Sequence, residues 1–306
     1  MRRFLPFLLL FFIGHSLMAQ LTYETVLIDY EHSYEFKNLK IIPVRKKAGS
    51  GGGSDIISLS KALQQGLVTI SERGSASTEN VHWLRINNLS DKSIFMASGE
   101  LVTGGRQDRM FTKDTIVAPG SKDQYVPVMC VEEGRWSDKE KKFAYANYAN
   151  PRLRKVLDQS KNQVLIWKEI YAQLDSNKIK SSTLAYNATR LDKKYMSLQE
   201  EYRQFFLDKI ILRDSNVVGM ICISGDKVIG SDIFDNEDLF YQQFEAMLFG
   251  YIEEAINFGA SPKLSDAKIK VYLDRFLENE KLQQEYLKKN GKLYKHNGRV
   301  IHLTSY

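Results

Sequence analysis

Eight polar side chains fall within two short stretches, and their types are those that bind anions or move protons. GELVTGGRQDRMF, residues 99–111, holds Glu100, Arg106, Gln107, Asp108 and Arg109; CVEEGRW, residues 130–136, holds Glu132, Arg135 and Trp136. The guanidinium fork suits bidentate contact with a carboxylate or phosphate. An arginine beside a tryptophan can offer a platform to a planar ligand. A carboxylate tuned by burial or by a neighbour can act as a general base. The first stretch also begins like a phosphate-binding loop, with four residues between Gly99 and Gly104. It then places Gly105 and Arg106 where that loop needs Lys and Ser/Thr.

The flanks decide the geometry. A phosphate loop opens a helix, whereas RQDRMFTKDTIVAP runs through β-branched residues to Pro119. The stretch therefore reads as a hairpin with Gly104-Gly105 as a two-residue turn. That register sets Glu100 opposite Arg109, Leu101 opposite Asp108 and Val102 opposite Gln107. Alternation then puts Glu100, Gln107 and Arg109 on one face, with Thr103, Arg106 and Asp108 on the other.

Three uses stay open. The arginines can line a cleft that binds a small anionic ligand, phosphosugar or nucleotide-like, with Trp136 against its planar or sugar face. Glu100, Asp108 or Glu132 can act as general base in a hydrolase. Or the chain is a structural or interaction module with a salt-bridged signature hairpin, where a cross-strand charge pair is worth roughly 0.2–1 kcal/mol.

Little else carries chemistry. The two cysteines, Cys130 and Cys222, lie in apolar runs that read as strands and lack a flanking His or Cys at ligand spacing, so a metal site is not expected. An oxidising compartment would permit them to pair, while buried free thiols behave as small hydrophobes. No GxSxG occurs and no cofactor is implied. Two basic stretches, NPRLRK and KKNGKLYKHNGR, have aromatic neighbours, a pattern that can mark a polyanion surface. Lysines on amphipathic helix faces and on a terminal hairpin explain them more simply.

The elements that must position these residues change character along the chain. YETVLIDY and FKNLKIIPV alternate as strands, RKKAGSGGGSD reads as a flexible loop, and DIISLSKALQQGL supplies a short helix ending at Gly66. From residue 67 to 131 strand patterns follow at short spacing, as in an antiparallel sandwich or barrel-like body. At Asn150-Pro151 a helix begins, with Asn as N-cap and Pro at N1. NQVLIWKEIYAQL continues as helix, and a longer one is expected over 188–212. VVGMICISGDKVIGSDIF reads as a hairpin on Gly225-Asp226, and the helix after it is capped by Asp235 or Asn236 and stopped by Gly259. SDAKIKVYLDRFLENEKLQQEYLKK is helical again, and Asn297-Gly298 turns a terminal hairpin. The class is α+β: a β-rich part over 21–148, then a helical and mixed part over 149–306, in one domain spanning 20–306.

The chain has 306 residues, 43% of them hydrophobic and 26% charged, as in an ordinary globular protein. MRRFLPFLLLFFIGHSLMAQ has the form of a signal peptide over 1–19: a basic start, an apolar run over 4–13 too short to span a bilayer, and a cleavage point near Ala19. Export to a periplasm or the medium follows, without membrane insertion after cleavage. Loss of Arg2 and Arg3 lowers the formal net charge from +6 to +4, too little to announce a nucleic-acid partner.

At ISLSKALQQGLVTISE, LRINNLSDKSIFMASGELVTGGRQDRMF, PVMCVEEGRW and VVGMICISGDKVIGSDIFDNEDLF, the sequence resembles the ARG- and rhodanese-phosphatase-superfamily-associated protein domain. The resemblance covers most of 55–136 and 216–258. That family is named for gene neighbourhoods containing ADP-ribosylglycohydrolases and rhodanese-like phosphatases. The resemblance implies no established activity; the family name suggests ADP-ribose or nucleotide chemistry. It also implies that the signature residues Glu100, Arg106, Gln107, Asp108, Arg109, Glu132, Arg135 and Trp136 act together.

Overall fold

The structure, a computed structural model, describes residues 20–48, 55–73, 81–137 and 142–306. The expected signal peptide over 1–19 and the Gly51–Gly53 loop lie outside the described residues. In chain order come β1 (Val26–Ile28), β2 (Tyr34–Phe36), β3 (Leu39–Lys46), β4 (Ile56–Ser58), α1 (Leu59–Gln64), β5 (Val68–Glu72) and β6 (Trp83–Asn88). There follow β7 (Ser93–Met96), β8 (Glu100–Thr103), β9 (Arg109–Phe111), β10 (Thr115–Val117), β11 (Gln124–Cys130) and β12 (Ala144–Tyr148). The second half runs α2 (Pro151–Ser160), α3 (Gln163–Ser176), α4 (Lys193–Phe206), β13 (Val217–Ser224), β14 (Lys227–Phe234) and α5 (Glu237–Phe258). It closes with α6 (Asp266–Leu277), α7 (Glu280–Asn290), β15 (Gly291–His296) and β16 (Arg299–Ser305).

One sheet joins the two ends of the chain, in the order β1-β3-β13-β14-β16-β15 with β2 also on β3. Its central strand β13 is buried at every position because both faces are covered. Along β13, Val217, Met220 and Cys222 face the core beneath α5, whereas Val218, Ile221 and Ile223 face Ile269, Leu273, Phe276 and Leu287 of α6 and α7. Full burial of each such aliphatic or aromatic side chain contributes roughly 1.5–3 kcal/mol.

The six strands β12-β8-β9-β11-β6-β5 form an antiparallel sheet that curls into a half-barrel. Inside it sits a three-stranded sheet, β10-β7-β4, in which β4 and β7 run parallel. Ile94 and Met96 of β7 pack there against Leu84, Ile86, Val102, Phe111 and Val128. The opposite face of β8 and β9, through Leu101 and Met110, packs on α2 and α3. Helix α5 contacts both β13 and β12, and so lies between the two large sheets. That explains an apolar surface wider than one stripe.

Several element boundaries differ from the sequence expectation, each for a local reason. KSIFMASGELV is two strands in different sheets, because the chain turns at Ser98-Gly99, where Gly99 takes φ +94°. In 188–212, the α-helix begins only at Lys193, with Asp192 capping Tyr195 N–H, and a single π turn over Leu207–Ile211 follows it. SDAKIKVYLDRFLENEKLQQEYLKK is two helices, since Asn279 takes extended backbone and caps α7 by accepting from Leu282 N–H. The caps at Asn150 and Asn236 are as the sequence indicates.

Candidate functional site

The signature segment does not form a two-residue hairpin. Val102 pairs with Arg109 and Leu101 with Met110, a register two residues out from the expectation. Residues 104–108 form a longer loop, because Asp108 Oδ1 accepts the Gly104 N–H at 3.0 Å and closes the loop on itself. A Cβ on Gly104 would stand 2.4 Å from the Lys142 carbonyl oxygen, and one on Gly105 would stand 2.2 Å from Phe143 Cζ. The double glycine thus answers to a close approach as well as to its positive φ.

The expected Glu100–Arg109 pair is absent as a result. Arg109, fully buried, reaches Glu72 at 3.5 Å and the Gln107 side-chain oxygen at 3.3 Å. Gln107 Nε2 donates to the Glu132 carbonyl at 2.9 Å. Arg106 N–H donates to Glu72 Oε1 at 2.9 Å, its guanidinium donates to the Ser137 carbonyl at 2.6 Å, and it lies 5.8 Å from the Trp136 ring. Arg135 bridges two carboxylates, donating to Asp108 at 2.8 Å and to Glu132 at 2.7 Å, and also bonds the Gly104 and Gly105 carbonyls. Thr183 and Asn187 add hydrogen bonds to Glu132 and Asp108. Burial raises the Asp108 carboxyl, and the neighbouring Glu132 charge adds to the effect.

Seven of the eight signature residues are thus brought together, with Glu72 as an unforeseen member. Two arginines, Arg109 and Arg135, pair with three carboxylates (Glu72, Asp108, Glu132) inside the protein. Trp136 is the exposed part of the group. Glu100 stands apart. It is fully buried, accepts Ala97 N–H at 2.6 Å and Tyr145 hydroxyl at 3.0 Å, and is raised to about 7 by burial against those hydrogen bonds.

A second polar centre lies where Glu100, α2 and the terminal hairpin converge. Arg154 of α2 makes a bidentate pair with Asp232 of β14, at 2.7 and 3.0 Å. Tyr251 of α5 donates to Asp232 at 2.6 Å. His302 of β16 bridges Asp232, at 3.1 Å from Nε2, and Asp114, at 2.7 Å from Nδ1. Its ring stacks on Phe234 with 4.4 Å between centroids. Burial alone would lower the His302 pKa, but the charge and hydrogen bond of Asp114 carry it up to about 9. Burial likewise opposes ionisation of Asp232, yet Arg154 and His302 hold it well below the usual carboxylate range. The chain Asp114–His302–Asp232–Arg154 is therefore a buried line of alternating charges. Gly99 makes room for it, since a Cβ there would meet Arg154 Cγ at 2.8 Å.

The outer end of this line opens into a cleft of about 1090 Å³ between α2, the 113–114 turn, the last turn of α7 and β15. Asp114, Asp158, Tyr294 and Tyr306 line it, with seven lysines: Lys113, Lys155, Lys161, Lys288, Lys289, Lys292 and Lys295. Lys292 is held at the floor by an ion pair with Asp158, a hydrogen bond to the Ser98 hydroxyl and one of 3.0 Å to the Thr112 carbonyl. Burial raises the Asp158 carboxyl, and Lys292 opposes that rise. Lys295 pairs with Glu280 at 2.5 Å. Among the described residues, no carboxylate lies within 4 Å of the ammonium of Lys113, Lys155, Lys161, Lys288 or Lys289. None of the eight signature residues lines this cleft.

The two basic stretches set aside in the sequence thus meet across one cleft, Lys155 from the first and Lys288 to Lys295 from the second. Cys130 and Cys222 are buried and form no disulfide with each other, and the Cys130 thiol lies 3.2 Å from the Gln107 side-chain oxygen. Among the described residues no cluster of His, Cys, Asp and Glu is placed to hold a metal ion, and no helix is long and apolar enough to cross a membrane.

Fold and site together define an α+β protein with a lysine-lined cleft at the end of a buried line of charges, and a salt-bridged signature loop apart from that cleft. The chain belongs to the family described as the ARG and Rhodanese-Phosphatase-superfamily-associated Protein domain, whose profile matches residues 28–305. No curated protein and no solved structure matches it significantly.

Proposed function

We propose that the protein binds a small anionic ligand, of phosphosugar or nucleotide type, in the lysine-lined cleft. The observation that carries this reading is five lysines that have no carboxylate partner among the described residues, around one concavity of ligand size. Tyr294 and Tyr306 supply aromatic walls for the uncharged part of such a ligand. Binding is favoured over hydrolysis because Glu100, Asp108 and Glu132 are engaged in internal hydrogen bonds away from the cleft. The GGRQDR loop, with Glu132 and Arg135, then serves the architecture by tying β8, β9 and the 183–187 segment together. The leader-like residues 1–19 support a place of action outside the cytoplasm.

Calorimetric titration with ribose 5-phosphate and with a nucleoside monophosphate tests the reading. Binding should weaken with added salt and fall at least tenfold in K155A/K288A, while R106A leaves it within twofold. Absence of binding by both compounds and by their doubly phosphorylated counterparts at millimolar concentration overturns the reading. So does binding that survives K155A/K288A but is lost in R106A, which would move the site to the signature loop.

A further inference from the structure

The lysines of the cleft are not spread evenly. Lys155 on α2 and Lys161 at its left-handed C-cap make one bank, with Lys113 contributed from the turn between β9 and β10. Lys288 and Lys289 in the last turn of α7 make the other, while Lys295 on β15 is ion-paired with Glu280. Between them the floor is close to neutral, because Lys292 is ion-paired with Asp158, and Asp114 with His302. Positive charge therefore stands on two opposing walls, with a compensated strip between. A ligand with a single anionic group would engage one wall only.

We propose that the cleft takes a ligand carrying two phosphoryl groups, one engaged by each lysine bank: a diphosphate or a bisphosphate of a small organic molecule. This rests on the anionic-ligand reading above and narrows it. The ligand joins α2 to α7 across the cleft, so its affinity depends on both walls at once. The exposed lysines are free to turn toward it, and their removal leaves the core untouched.

Titrations of the full chain with a nucleoside monophosphate, a nucleoside diphosphate, a sugar bisphosphate, inorganic pyrophosphate and a ten-nucleotide single strand test the proposal. The proteins compared are wild type, K155A/K161A and K288A/K289A, with thermal melts confirming an unchanged fold. The diphosphate or the bisphosphate should bind at least tenfold tighter than the monophosphate. Each paired substitution should remove that advantage, whereas only one of them should weaken the monophosphate. Pyrophosphate equal to the organic compounds would assign recognition to the phosphates alone, still across two banks. Equal affinity for mono- and diphosphate, or sensitivity to one bank only, overturns the two-bank proposal and leaves the anionic site standing. An oligonucleotide that outcompetes the diphosphate through both banks also overturns it, in favour of a nucleic-acid backbone. Absence of binding by all five removes the anionic site itself.

Discussion

His302 gives the buried line of charges a measurable signature in pH. Its proton is held more tightly in the fold, at about 9, than in the unfolded chain, at about 6.5. The contribution of the protonated ring is therefore complete below pH 6.5 and is lost as pH rises through 9. A gap of about 2.5 units at 1.36 kcal/mol per unit makes this about 3 kcal/mol. Glu100 acts in the same direction over an earlier window. Its carboxyl is raised from 4.5 to about 7, so its contribution is complete below pH 4.5 and lost as pH rises through 7. Asp114 and Asp232 are lowered instead, and their contributions disappear on acidification below about pH 4. Stability should thus peak near pH 4–5 and decline toward pH 9. The groups facing His302 are Asp114 and Asp232, with Arg154 beyond Asp232 and Lys292 acting on Asp114. Urea unfolding of wild type and His302→Gln at half-unit pH steps reads the effect. The variant should be less stable overall, since two buried carboxylates lose a partner, and its curve should be flat between pH 7 and 9. A wild-type curve that is level or rising over that interval, or a variant that keeps the wild-type slope, refutes the assignment.

Two further outcomes follow from named contacts. Gly99→Ala places a methyl 2.8 Å from Arg154 Cγ at φ +94°, where L side chains are strained, and should destabilise the fold by about 2–4 kcal/mol in chemical denaturation; a loss under 1 kcal/mol would show that Arg154 can move aside. Arg135→Ala strips a donor from both Asp108 and Glu132 and should cost about 3 kcal/mol, whereas Trp136→Ala, 45% exposed, should stay within about 0.5 kcal/mol. Equal losses in those two variants would contradict the bracing role of the loop.

Most elements were legible in the sequence because they rest on local signals. Asn150-Pro151, Asn236 and Asn297-Gly298 announce their caps and turn directly. The hairpin over 99–111 was legible as two strands, yet its register was not. The deciding bonds come from Glu72 and Arg135, about 30 residues away on either side, and from Asp108 folding back on Gly104. A turn rule sees none of these partners. The cleft was harder still, since its two walls are more than 100 residues apart and each looks like an ordinary solvated lysine face. A usable sign did exist: Asp232 in VIGSDIF and His302 in RVIHLTS are polar residues inside runs that otherwise read as buried strand. A charge at such a position needs a partner, and two such strands paired as β14 and β16 point to each other.

The signature segment therefore spans two roles that the sequence presents as one. Its C-terminal part, GGRQDR, closes charges on Glu72, Glu132 and Arg135 and holds a loop in place. Its N-terminal part, SGE, reaches the other centre: Ser98 donates its N–H to Asp114 and bonds Lys292, Gly99 admits Arg154, and Glu100 stands buried beside them. β8, four residues long, links the two, with Leu101 and Val102 fixed in separate cores. The two centres are thus joined through one short strand whose side chains are buried on both faces.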